Sequence, residues 1–294
     1  MLNYDYPLYR PPSEGLNLII QVTLGCSHNK CTFCNMYKSK KFTIKSLEEI
    51  KQEIDMFSRM YGHIEGIRIF LADGDALIIP MEKLRQIMLY LREKFPKFDR
   101  ISMYASPKSI RLKTPEELKE LNSLGLKLIY LGVESGSDKI LAHIKKGVTK
   151  AEMLEAGLKA RAAGIQISVT VITGVAQKDG SEEHALETAD IISKMNPDFF
   201  SILTLRIYEG TEFYDEYVSG NFKRLSDADI LREVKMIIAN INVKEPCVFR
   251  SNHASNYLPL GGTLPYDKEK ICAVIDTVLA ENKELETQYT TRGM

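Results

Sequence analysis

The chain carries no net charge, because 39 Lys and Arg stand against 39 Asp and Glu in 294 residues. A balance of this kind provides no field to draw the protein toward nucleic acid or an anionic membrane. No apolar run approaches the roughly 20 residues of a membrane span. The opening "MLNYDYPLYRPPSEG" lacks the basic-then-apolar pattern of a secretory signal. A cytoplasmic protein is therefore expected. Cysteine is scarce, with five residues, an odd number, three of them clustered. In a reducing compartment that usage reads poorly as a disulfide framework and better as metal ligands. No low-complexity block or long linker breaks the chain, and its length suffices for one large domain or two modest ones.

One rhythm fills most of the sequence. Short β-branched runs, "LNLIIQVTL" (Leu16–Leu24), "GIRIFLA" (Gly66–Ala72), "RISMYA" (Arg100–Ala105), "KLIYLGV" (Lys127–Val133), "IQISVTVITG" (Ile165–Gly174) and "FFSILTLRI" (Phe199–Ile207), alternate with amphipathic helical patterns. Ser46 with Glu49 forms a capping box ahead of Leu47, Ile50, Ile54, Phe57 and Tyr61 at helical spacing. Thr114, Pro115 and Glu117 open another helix, with Leu118, Leu121 and Leu124 inward. Thr149 with Glu152 opens a third, ended by Gly164.

Six strand–helix units at roughly 30-residue spacing imply right-handed crossovers and a parallel sheet. Six fall short of the eight in a full barrel. The expected fold is α/β, an incomplete parallel (β/α)6 barrel, with a doubly wound open sheet as the alternative. Either puts functional residues at the C-terminal ends of the strands.

The stretch "TLGCSHNKCTFCNMY" lies directly after the first strand. Cys26, Cys31 and Cys34 are spaced so that one loop can aim three sulfurs together. Thiolates in such a loop hold zinc or an iron–sulfur cluster. Three thiolates on a four-iron cubane leave one iron open to another ligand, whereas zinc would take His28 to complete a Cys₃His site, the mark of a binding module in a nucleic-acid or protein interaction protein. A third reading is a cofactor-free barrel enzyme that uses His28 or Glu134 in acid–base work.

With these motifs in order, the chain resembles the radical S-adenosylmethionine (SAM) superfamily from about Leu16 to Ile207. In that family the three-cysteine loop binds a [4Fe–4S] cluster whose open iron is chelated by SAM, with an aromatic, here Phe33, just before the last cysteine. The first gap of four residues departs from the commonest spacing of three. "LADGDAL" resembles the Gly-Gly-Glu-like turn that receives the SAM ammonium, which implies a contact through Asp73, Gly74 and Asp75. "LGVESG" is similar to a segment of the subgroup containing oxygen-independent coproporphyrinogen oxidases and methylthiotransferases, and there Glu134 would contact SAM. The resemblance likewise implies Lys146 for the SAM carboxylate and Thr170 as a polar contact on strand five. "IYEGTEFYDE" is similar to the "PGT" turn of the same subgroup, with Glu209 in place of proline.

The resemblance implies reductive cleavage of SAM to a 5′-deoxyadenosyl radical that abstracts hydrogen, with flavodoxin or ferredoxin as electron donor. It further implies a compact, single-cluster member acting on a small molecule, with no nucleic acid and no membrane partner. No additional cysteine follows Cys34 two residues on, and Cys247 and Cys272 stand alone as buried apolar residues. The expected organisation is an N-terminal arm over 1–15, the core over 16–245 and a C-terminal extension over 246–294. In that extension "FRSNHASNYLPLGGTLPYDK" reads as a polar loop before a helix from about Asp267 to Glu286. The segment Asn252 to Gly262 is expected to cover the open side of the barrel, with Asn252, His253 and Asn256 facing substrate.

Overall fold

The computed structural model describes residues 4–281. In chain order, β1 (Leu18–Gln21) leads to a short hairpin of β2 (Thr23–Leu24) and β3 (Thr43–Ile44). Then follow α1 (Leu47–Tyr61), β4 (Arg68–Ala72), α2 (Met81–Lys94), β5 (Arg100–Ala105), α3 (Pro107–Leu112), α4 (Pro115–Ser123) and β6 (Leu126–Glu134). The second half runs α5 (Asp138–His143), α6 (Lys150–Ala162), β7 (Gln166–Thr173), α7 (Gln177–Met195), β8 (Phe199–Thr204), α8 (Glu212–Val218) and α9 (Asp227–Asn240). It closes with β9 (Cys247–Ser251), β10 (Leu260–Leu264) and α10 (Lys268–Ala280). Two compact units result. One holds the chain through Asn29, Met36–Leu131 and Ala156–Ile167; the other holds Lys30–Asn35, Gly132–Glu155 and the chain from Ser168 onward.

In the first unit β1, β4, β5 and β6 pair parallel, with Ile20 opposite Leu71, Ile69 opposite Ile101 and Met103 opposite Ile129. All six of these side chains are buried, the double-sided apolar run that a covered parallel sheet requires. Helices form over them where the caps are right. Ser46 accepts from the Glu49 amide while Glu49 accepts the Ser46 amide at 2.8 Å, and Ile50, Ile54 and Phe57 turn inward. Thr114 and Glu117 make the same reciprocal pair ahead of α4, with Pro115 at its first position. The N-terminal arm is woven into this unit: the Tyr4 hydroxyl donates to the Ile19 carbonyl at 2.7 Å, and buried Glu14 pairs with Arg100 at 2.8 Å.

In the second unit β7, β8 and β9 pair parallel and β10 returns antiparallel to β9. These last two strands are where the sequence reading falls short. The polar run Phe249 to Lys268 is not one loop, because most of it belongs to a hairpin in which Leu260 pairs with Ser251 and Leu264 with Cys247. Both strands are only five residues long, one carrying exposed Arg250 and the other "LGG", so alternation gives them a weak signal. Helix α10 starts one residue later than expected, and the part of the expected helix beyond Glu281 lies outside the described residues. Among the described residues, no helix is long and apolar enough to cross a membrane.

Candidate active site

In the first unit, the end of β4 carries "DGD" against the loop that bears Cys26. Asp73 is fully buried, and its Oδ2 accepts from the Gly25 amide at 3.1 Å, the Gln21 amide group at 3.3 Å and the Lys40 ammonium at 3.1 Å. Its own backbone N–H donates to Thr23 Oγ1 at 3.1 Å, and its Oδ1 is buried without a hydrogen-bond partner. Asp75 is also fully buried, yet satisfied. Ser27, directly after Cys26, donates to Oδ2 at 2.5 Å, and Ser106 donates its hydroxyl to Oδ2 at 2.7 Å and its amide to Oδ1 at 3.2 Å. Burial pushes the Asp75 carboxyl up from the ordinary range, against the hydrogen bonds of Ser27, Ser109 and Ser106.

Gly74 donates to the Gly25 carbonyl at 3.2 Å. A Cβ here would lie 2.9 Å from Tyr37 Cε2 and 3.2 Å from Cys26 Cα, so glycine is required by close backbone approach rather than by a positive φ. The two acids and this glycine thus brace the cysteine loop as well as the turn that bears them. Three further residues that spacing did not reveal complete the brace. Lys40 reaches both Asp73 and Asp5 Oδ1, the latter at 3.2 Å; Tyr37 is buried against Tyr9 with centroids 5.4 Å apart; and Asn29 donates to the Tyr37 carbonyl at 2.8 Å. Burial first, then the Asp73 charge, drives the Tyr37 phenol far upward. Only the run of Lys and aromatics after Cys34 could have pointed to Tyr37 and Lys40.

In the second unit, Cys31 and Cys34 share one turn, with the Cys34 amide 3.4 Å from the Cys31 carbonyl. Thr32 is clamped from two sides: its N–H donates to the Ile144 carbonyl at 3.1 Å, and its carbonyl accepts from Phe213 at 3.2 Å. Phe213 is set by the "EGT" turn, where Thr211 caps α8 and Gly210 takes φ of 79°. Phe33, partly buried, packs against a buried cluster that includes Ile140, Leu141, Ile144, Phe213 and Phe222. All three loop cysteines are thiols of intermediate burial, as is Cys272, whereas Cys247 alone is the buried apolar residue expected of both.

Glu134 ends β6 with φ of 62°, in the left-handed region, and accepts from Lys146 at 2.8 Å with both side chains about nine-tenths buried (11% and 14% exposed). Gly132 makes room for the pair, since a Cβ there would fall 2.1 Å from Glu134 Oε1. Thr170 stands opposite Ser201 on a part-exposed face of β7 and β8. The three residues expected to face substrate divide. Asn252 is exposed and His253 half-buried, its Nδ1 accepting from the Ser255 amide at 3.1 Å. Asn256 is instead buried in a structural clamp, donating to the Ile202 carbonyl at 2.8 Å and accepting from Thr204 at 3.0 Å. Burial, then the Arg206 charge, pushes the His253 imidazole down.

The thiol-only donor set suits an iron–sulfur cluster. Among the described residues no group of three or more His, Cys, Asp or Glu side chains is gathered to hold a single metal ion. A cubane takes its thiolates at separate iron corners and needs no such convergence.

A family model described as the radical SAM superfamily matches residues 20–192, more than half of the chain. The chain belongs to the radical SAM superfamily. Its cofactors are accordingly a [4Fe–4S] cluster and SAM. An uncharacterized methyltransferase of Pyrococcus horikoshii is 27% identical over 223 residues, 74% of this chain and 46% of that protein. A tRNA-2-methylthio-N(6)-dimethylallyladenosine synthase of Fusobacterium nucleatum is 23% identical over 206 residues, 66% of this chain and 44% of its own length. The chain thus spans less than half the length of these relatives. Among solved structures, the radical SAM methyltransferase TsrM of Kitasatospora setae, with cobalamin and a [4Fe–4S] cluster bound, superposes with a TM-score of 0.58 at 18% identity, over 69% of this chain and 39% of TsrM. Coproporphyrinogen III oxidase of Escherichia coli gives 0.56 at 19%, over 74% of this chain and 51% of that one. At these identities the likeness shows the fold, the superfamily's partial barrel.

Proposed function

We infer that this radical SAM protein cleaves SAM reductively and turns the radical on a small-molecule substrate by hydrogen abstraction. When bound, the cluster supplies the electron that splits SAM into methionine and a 5′-deoxyadenosyl radical. Cys26, Cys31 and Cys34 are the residues to hold it. The Asp73–Gly74–Asp75 turn, Glu134, Lys146 and Thr170 are those to hold SAM. The observation that carries this reading is the bracing of the Cys26 loop by both buried acids of the β4 turn, which ties cysteine geometry to the turn named for SAM.

Balanced charge favours a small substrate over nucleic acid, and flavodoxin or ferredoxin is the electron donor proposed. A second reading, transfer of a methyl or methylthio group, rests on the names of the relatives from P. horikoshii and F. nucleatum.

Anaerobic reconstitution with ferrous iron and sulfide is expected to give a brown protein with about four irons per chain. Addition of SAM and dithionite should then release methionine and 5′-deoxyadenosine in equal amounts. A colourless protein with stoichiometric zinc would overturn this reading.

A further inference from the structure

Helix α7 lies against the turn that follows Glu134, and three consecutive residues of that turn are each held by it. Ser135 Oγ is 2.8 Å from His184 Nδ1, the Gly136 amide donates to Thr188 Oγ1 at 3.0 Å, and Ser137 Oγ donates to Glu183 Oε1 at 2.6 Å. Packing is tight enough that a Cβ on Gly136 would fall 2.1 Å from the Glu187 carbonyl oxygen. His184 is fully buried.

Ser135 Oγ accepts from the Ser137 amide at 3.1 Å and can give its own proton to His184 Nδ1, the arrangement that goes with a ring proton on Nε2. Nε2 faces Glu233 Oε1 at 3.8 Å, beyond hydrogen-bond reach. Glu233, itself buried, accepts from the Gly174 amide at 2.7 Å at the end of β7 and from the Ser181 hydroxyl. Imidazole and carboxyl thus connect the end of β6 to the end of β7 through α7 and α9, behind a glutamate held at φ of 62°.

A left-handed backbone at a non-glycine residue is strained and persists only where its surroundings over-determine it. The hydrogen bonds that Ser135, Gly136 and Ser137 make to His184, Thr188 and Glu183 are the over-determining set here. We propose that His184 is a positioning residue for SAM binding: by accepting from Ser135 it holds Glu134 in the conformation that meets Lys146. This rests on the reading that the Glu134–Lys146 pair contacts SAM. His184 touches neither ligand nor cluster in that scheme. Its effect is carried through Ser135.

The test is the dissociation constant of SAM, measured without reductant so that no cleavage occurs, on the anaerobically reconstituted full chain. Glu134→Gln serves as the reference variant. His184→Leu is expected to weaken SAM about tenfold at unchanged iron content. His184→Asn, whose amide oxygen can replace Nδ1 as acceptor, is expected to return to within about threefold of wild type. Ser135→Ala should match His184→Leu, and the double variant should be no weaker than either single one, since both remove one hydrogen bond. If His184→Leu fails to fold, Ser135→Ala alone carries the comparison. Wild-type affinity in His184→Leu or Ser135→Ala, with Glu134→Gln weakened, overturns the proposal, as do additive losses in the double variant. Wild-type affinity in Glu134→Gln overturns the assignment of Glu134 to SAM, and this proposal with it.

Discussion

A methyl group on Gly74 would place its carbon 3.1 Å from Cys26 Cβ. The turn after β4 and the cysteine loop after β1 are therefore in van der Waals contact through a position that tolerates only hydrogen. The same two segments are joined by the Gly74 amide to the Gly25 carbonyl at 3.2 Å and by Ser27 to Asp75 at 2.5 Å. A change at the turn is felt directly by the loop.

Gly74→Ala accordingly forces Tyr37 or Cys26 to move by a few tenths of an ångström. Overpacking of this kind costs about 1–3 kcal/mol, and the displaced atoms belong to the loop. Iron uptake on reconstitution should fall several-fold more than the melting temperature implies. A variant that takes up a full complement of iron would show that the loop adjusts freely.

Asp73→Asn tests the buried ion pair. Lys40 and Asp73 have side-chain exposures of 5% and 0%, and neutralising the acid leaves the ammonium with Asp5, which is half-exposed. Removal of one partner of a buried pair costs about 3–5 kcal/mol, and the residual Asp5 contact reduces this to roughly 2–3. The stability loss should be recovered in part by Lys40→Met in the same chain. Absence of any such recovery in a denaturant titration would mean that the pair is not coupled.

Among the cysteines, Cys26→Ala, Cys31→Ala or Cys34→Ala is expected to abolish the cluster absorbance. Cys247→Ala, at a fully buried position in β9, should cost about 1–3 kcal/mol and keep its iron. Loss of iron from Cys247→Ala alone would refute the ligand assignment.

Much of this was legible because local signals agreed with the global fold. Six of the seven parallel strands announced themselves as short β-branched apolar runs, and the caps at Ser46 and Thr114 follow a short-range rule that tertiary structure had no reason to override. The cysteine loop was legible from its spacing, and the "DGD" turn only through its resemblance to the superfamily's Gly-Gly-Glu-like turn. What spacing cannot reveal is which oxygen of a carboxylate is already occupied. Asp75 reads as a ligand-facing acid in sequence, and in space it also accepts three hydrogen bonds from Ser27 and Ser106. Asn256 reads as a substrate contact and is a clamp on β8, because hydrogen-bonding capacity in a loop serves backbone groups as readily as ligands. The His184 network left no trace at all, since a histidine within a polar helix pattern is indistinguishable from a solvated one until the packing is known.

The pH dependence of stability follows from that network and carries opposite signs at its two ends. Burial raises the Glu233 carboxyl from 4.5 to about 7, partly offset by Ser181 and Gly174. The folded state then holds this proton more tightly than the unfolded chain, so its contribution is complete below about 4.5 and is lost as pH rises through 7. Burial lowers the His184 imidazole from 6.5 to about 4. For this group the contribution is complete above 6.5 and is lost as pH falls through 4. The pair is therefore uncharged between pH 5 and 6, and in that window the two slopes oppose each other. Each corresponds to at most about 3 kcal/mol across its full range. Glu233→Gln should leave the histidine slope alone, so that its melting temperature rises relative to wild type from pH 5 to 7. His184→Leu should leave the carboxyl slope, and its melting temperature should fall relative to wild type over the same interval. All other titrating groups are common to the three proteins and cancel in the differences. Parallel melting curves across pH 5 to 7 would mean that neither group changes protonation on folding.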